Sequence, residues 1–139
     1  FDFSYGDLRS RDFRKACLED CDFSYCDLRY SNFENANLTG SCFKGALLNG
    51  ARFFETDLEG CDFLRANLEK TTFVLCDARS SSFIDTNLNG SDIRQSRFNS
   101  SIMVNTDLTD ALIGGSVFTD VLFQNVKWSQ KDNKLSENF

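Results

Sequence analysis

Cysteine and aspartate are the residues through which this chain of 139 residues could do chemistry, because it contains no histidine. Without imidazole there is no Ser-His-Asp triad, no Cys-His pair and no histidine ligand for a metal. Six cysteines are present: Cys17, Cys21, Cys26, Cys42, Cys61 and Cys76. Their spacings of 4, 5, 16, 19 and 15 fit no zinc motif. The aspartates pair by distance along the chain, Asp2 with Asp22, Asp7 with Asp27 and Asp57 with Asp77, each twenty residues apart. Paired carboxylates can hold a cation or act as acid and base, but catalysis needs a pocket and a perturbed environment. Whether they have one depends on the elements that carry them.

Those elements follow from a repeat. Phe3, Phe13, Phe23, Phe33, Phe43, Phe53, Phe63, Phe73 and Phe83 fall ten apart, and Leu8, Leu18, Leu28, Leu38, Leu48, Leu58 and Leu68 fall midway between them. The period is therefore five, and it runs on through Ala78, Leu88, Ile93, Phe98, Met103, Leu108, Ile113, Phe118, Phe123 and Trp128. Of these 26 centres only Ala78 is small. A period of five fits neither an α-helix nor a plain strand. Two residues before each centre, from Ala16 to Ser116, stands Ala, Cys, Ser or Thr without exception. A large and a small residue two apart both point inward on a short extended segment. The three others of each pentad face water and turn the chain. Gly40, Gly45, Gly50, Gly60, Gly90 and Gly115 stand two after a centre, where a corner of positive φ favours glycine. Short strands with corners every five residues stack into an all-β solenoid.

The triplets Ala36-Asn37-Leu38, Ala66-Asn67-Leu68, Cys21-Asp22-Phe23 and Cys26-Asp27-Leu28 resemble the pentapeptide-repeat family. The resemblance covers 1–128 and implies a right-handed quadrilateral β-helix of four pentads per coil, about 6.5 coils, with 129–139 as a polar tail or partial cap. Periodicity alone fits two pentads per coil equally well; four comes from the resemblance. The narrow interior is expected to be filled by its own side chains, leaving no room for a small-molecule substrate.

In this frame Cys21, Cys26, Cys61 and Cys76 fill the small inward slot and are expected to be buried thiols. Cys17 and Cys42 point outward on different faces, a poor geometry for a disulfide. Aspartates just before a centre are expected to bond nearby backbone, so no metal, cofactor or catalytic residue is assigned. Asn37-Leu38-Thr39 and Asn99-Ser100-Ser101 match the glycosylation pattern only because the repeat is rich in Asn. Arg9, Arg11, Arg14, Lys15 and Arg29 make a basic cluster around the first coil, with Arg11 in a small inward slot. The departure that points to function is apolar residues in outward positions. Leu64, Ile84 and Val104, with Ile102 and Leu122 beside them, form an apolar ladder on the Phe3 face, expected to be exposed. A smaller group, Phe54, Val74 and Leu75, lies on the opposite face.

The formal net charge of −6 disfavours nonspecific binding to nucleic acid or anionic membrane, and no apolar stretch approaches a membrane span. Free thiols point to a reducing compartment, so a cytoplasmic protein is expected; the chain begins at Phe1, and a targeting segment would lie outside it. A non-enzymatic protein-interaction or scaffold module, meeting a partner or a second copy, fits these features best. The resemblance also brings an alternative, a DNA-mimicking inhibitor or protector of DNA gyrase, since members of the family bind gyrase and protect it from quinolones. Only the Leu18 face is clearly acidic, through Glu19, Asp20, Asp57, Glu59, Asp77 and Asp120, whereas a mimic needs a longer stripe of one sign.

Overall fold

The computed structural model describes residues 1–129; apart from Ser129, the tail expected over 129–139 lies outside them. Every parallel bridge joins a residue to the one twenty further along, from Asp2 with Asp22 to Lys127 with its partner Asp107. One turn of the solenoid therefore uses twenty residues, four pentads, and a ten-residue turn is excluded. The rungs are narrower than the short strands anticipated. Most are single bridges at the residue before each centre. Among the described residues regular strands occur only from Ile102 on, where β1 (Ile102–Val104) pairs with β3 (Leu122–Gln124) and β2 (Asp107–Leu108) with β4 (Lys127–Trp128). No helix occurs among the described residues.

Each pentad holds itself to the next coil by a repeated set of hydrogen bonds. The Phe23 N–H donates to the Cys42 carbonyl at 2.7 Å, the Tyr25 N–H to the Lys44 carbonyl at 2.8 Å, and the Cys42 N–H to the Cys21 carbonyl at 2.9 Å. The corner closes when the Cys26 N–H donates to the Phe23 carbonyl at 3.2 Å. Its third residue has positive φ at every corner from Tyr5 to Asn125. Glycine holds six of these corners; the nineteen others hold residues with a side chain. A left-handed residue other than glycine costs roughly 1 kcal/mol or more, so the ladder bonds on either side must hold these corners in place. At Gly45 glycine is required for a second reason. A Cβ there would lie 2.5 Å from the Tyr25 ring, which covers the corner of the coil above it.

The centres form the core. Phe23, Phe33, Phe43, Phe53 and Phe63 are fully buried. Rings one coil apart stack, as in Phe33 and Phe53 (5.1 Å, 2°), while rings facing each other across the interior meet edge to face, as in Phe23 and Phe33 (5.9 Å, 84°). Both arrangements are favoured by the ring quadrupole. At the small centre Ala78, fully buried, the column changes composition. Phe73 tilts 38° from Phe53, and beyond it phenylalanine moves to the Ala78 column as Phe98 and Phe118, while Ile93 and Ile113 continue the column that Phe73 leaves.

Lys in place of Leu48 would bury an unpaired charge in this column. Leu48→Lys should abolish the cooperative thermal melt, whereas Asn49→Lys, on the outward side, should shift stability by no more than about 0.5 kcal/mol. Equal melts for the two would overturn the inward and outward assignment.

Candidate functional site

The small inward slot has a polar role that its size alone does not announce. Its hydroxyls donate to the carbonyl of a centre, some reaching back one coil, as Ser41 Oγ to Leu18 at 2.7 Å and Thr86 Oγ1 to Phe63 at 2.7 Å, and others within their own coil, as Ser31 Oγ to Leu28 at 2.6 Å. The thiols of Cys26 and Cys61 do the same toward Phe3 (2.7 Å) and Leu38 (3.1 Å). Cys21, Cys26, Cys61 and Cys76 are buried as expected, Cys17 is exposed and Cys42 half-buried, and all six are free thiols. Burial pushes Cys61 and Cys76 up to about 12, so neither offers a nucleophilic thiolate.

The aspartates before each centre cap their own corner. Asp22 Oδ1 accepts the Ser24 N–H at 2.9 Å, and Asp62 Oδ1 accepts the Leu64 N–H at 2.9 Å, the Asx turn that a short acidic side chain favours. Arginine two residues on adds a fork to the same carboxylate, as in Arg9 on Asp7 (2.8 and 2.7 Å) and Arg14 on Asp12 (2.9 and 2.8 Å). These side-chain hydrogen bonds hold both carboxyls down at about 2. On the Leu18 face Asp57, Glu59 and Asp77 bring carboxylate oxygens within 4.8 Å of one another. Arg79 stands among them, 2.7 Å from Asp77 and 3.6 Å from Glu59, and the next rung pairs Asp77 with Arg97. The acidic stripe that continues to Asp120 is thus interrupted by base. At its start, Glu19 accepts a hydrogen bond from Asn37 at 2.6 Å, and the Asp20 side chain lies over Gly40, where a Cβ would crowd it.

The apolar ladder differs from expectation in degree. Leu64, Ile84 and Val104 do occupy successive coils of one face, but each is half-buried rather than exposed. Side chains one coil apart stand close enough to cover one another. The exposed part is Ile102, 36 % accessible, and Leu122, 54 %, which pair directly across β1 and β3. Opposite them Phe54 and Val74 are half-buried and Leu75 is exposed at a corner. Leu112 and Val117, also exposed, add to this apolar surface on the neighbouring faces, outside the ladder expected from the sequence. The signal was present, since both replace the Asp or Asn usual before a centre. Arg11 departs further. Its slot faces inward in later coils, where Ser31, Ala51 and Thr71 are buried, yet Arg11 is exposed.

Parallel coils of four pentads, a ring-filled interior and Asx-capped corners define a β-solenoid built on a five-residue repeat. The family described as pentapeptide repeat region matches residues 2–73, and the eight-copy pentapeptide repeat family matches 61–99 and 79–115. The chain belongs to the pentapeptide-repeat family. Among solved structures it is similar to Rfr23, a pentapeptide repeat protein from the cyanobacterium Cyanothece 51142. Identity is 18 %, with 86 % of this chain and 88 % of that one covered at a TM-score of 0.61. Full-length QnrB1, a plasmid-mediated fluoroquinolone resistance protein, is 18 % identical over 99 % of this chain and 84 % of its own, at a TM-score of 0.44. HetL, a pentapeptide repeat protein involved in heterocyst differentiation regulation in the cyanobacterium Nostoc sp. strain PCC 7120, is 21 % identical over 90 % and 81 %, at 0.36. No curated protein matches the chain. The likeness to Rfr23 is one of fold.

Two measurements follow from this chemistry. Denatured protein should titrate with a thiol reagent as six free groups, while the native fold should react first at Cys17, then Cys42, and resist at the four buried thiols. A missing pair in the denatured titration would reveal a disulfide. Carboxyls depressed in the folded state stabilise it fully above about pH 4, and that contribution is lost as pH falls toward about 2. Carbon NMR titration should therefore place Asp7 and Asp12 near 2. Arg9→Gln should return Asp7 toward about 3.9 and leave Asp12 where it is.

Proposed function

We propose that this chain is a non-enzymatic interaction module, a right-handed quadrilateral β-helix of about 6.5 coils that presents one face to a protein partner or a second copy. The observation that carries the reading is the apolar patch of Ile102 and Leu122, backed by the half-buried ladder Leu64, Ile84 and Val104. Nothing in the pentad requires an apolar group outside the core, and aligned exposed apolar groups mark interfaces more often than isolated ones do. Covering such a patch contributes roughly 25 cal/mol per Å² of apolar area. The convex faces and the neutralised carboxylates favour binding over catalysis, and six free thiols suit a reducing, cytoplasmic setting. A DNA-mimicking role would ask for a long stripe of negative charge, and Arg79 and Arg97 break the one acidic face.

Ile102→Ser combined with Leu122→Asp should leave the melting temperature nearly unchanged, because both side chains already face water, yet weaken self-association in light scattering or partner capture in a pull-down. Unchanged assembly in both assays would remove the interface. A lowered melt would mean that the two side chains support the fold instead.

A further inference from the structure

The first two coils bring three arginines to one corner. Arg9, Arg11 and Arg29 line a surface cleft of about 480 Å³ together with Asp7, Ser10 and Tyr30. Arg9 and Arg29 are fixed in place. Arg9 forks onto Asp7 at 2.8 and 2.7 Å and lies 3.7 Å from Asp27, while Arg29 forks onto Asp27 at 2.8 and 2.7 Å. Arg11 makes no ion pair or side-chain hydrogen bond among the described residues. It occupies the slot filled in later coils by the buried Ser31, Ala51, Thr71, Ser91 and Ala111, so the repeat gives no reason for a guanidinium there. Beside it the Tyr30 ring, 69 % accessible, lies across Gly50, where a Cβ would come within 2.6 Å of it. A chain of net charge −6 thus gathers an excess of positive charge at one corner, with the guanidinium of Arg11 unpaired among the described residues.

We propose that this corner docks an acidic peptide segment of a protein partner, whose carboxylates meet Arg11 and the outer edges of Arg9 and Arg29. Charge complementarity selects an anion, and guanidinium forks match carboxylates in pairs. Two of the three forks are held by aspartates before binding, which lowers the cost of ordering them. The cleft is open and polar, unlike the mostly apolar, enclosing pockets that hold small ligands, so a segment lying across it fits better than a small anion inside it. A nucleic acid would meet the same arginines, but its extended backbone would also run along the acidic remainder of the molecule.

The test uses the whole chain and a fluorescein-labelled hexaglutamate peptide, followed by anisotropy. Binding should saturate and should weaken as salt rises from about 50 to about 200 mM. Arg11→Glu should weaken it at least about tenfold without lowering the melting temperature, since Arg11 is exposed. Lys44→Glu, the same charge change on another face, should alter binding less than about twofold. Three results would each overturn the proposal: no saturable binding, equal losses in the two variants, or equal binding of a hexaglutamine peptide. So would displacement of the peptide by inorganic phosphate or by a short DNA duplex at comparable concentration, since either would assign the site to a different ligand. The apolar patch at Ile102 and Leu122 plays no part in this assay, so its failure and failure here are separable.

Discussion

Pairing of each residue with the one twenty further on is the constraint on which the rest of the structure depends. A rung one residue wide has no stability alone; it exists because the coil before and the coil after supply its hydrogen-bond partners. The same ladder keeps nineteen corners with side chains in a left-handed conformation that an isolated peptide would abandon. It also sets the distance at which phenylalanine rings stack, 4.9 to 5.1 Å between Phe3, Phe23, Phe43 and Phe63. Backbone pairing and ring stacking thus share one spacing, and neither can change without the other.

Satisfying the inside left little freedom there. Each buried slot is apolar, or is a hydroxyl or thiol bonded to a carbonyl of the coil before or of its own coil, and no buried side-chain nitrogen or oxygen among the described residues lacks a partner. Variation is pushed outward. The position before a centre can be Asp or Asn that caps its own corner, or, as at Ile102, Leu112, Val117 and Leu122, an apolar residue that caps nothing. The position after a centre can be Arg that forks back onto that Asp, as at Arg9, Arg14, Arg29, Arg79 and Arg94. What distinguishes this solenoid as a surface is where those choices fall: base around the first coil, apolar residues around the last, and acid tempered by arginine between them.

Ion pairs on such a surface are weak contributors to stability. Arg52 and Glu34 lie 2.6 Å apart, but the arginine is mostly in water, where a pair is worth a fraction of a kcal/mol to about 1 kcal/mol. Their effect is to fix side chains and to cancel charge locally. That cancellation is why Asp57, Glu59 and Asp77 do not form a free acidic cluster, and Arg11 stands out because it is a charge in a slot that the later coils bury.

Much of this was legible in the residues themselves. A five-residue period with a large and a small apolar position determines which side chains are buried, because only an inward pair two apart satisfies it. The buried state of Cys21, Cys26, Cys61 and Cys76 and the corner-capping role of the aspartates follow from the same frame. Tertiary structure decided what depends on the neighbouring coil. Four pentads per turn rather than two could not be read from alternating Phe and Leu, because both arrangements stack like on like. Leu64, Ile84 and Val104 turned out half-covered, since each shelters the next across a spacing that no linear pattern states. Arg11 stands exposed in a slot that buries Ser31, Ala51 and Thr71 in the coils that follow, because a charged guanidinium cannot leave water without a buried partner.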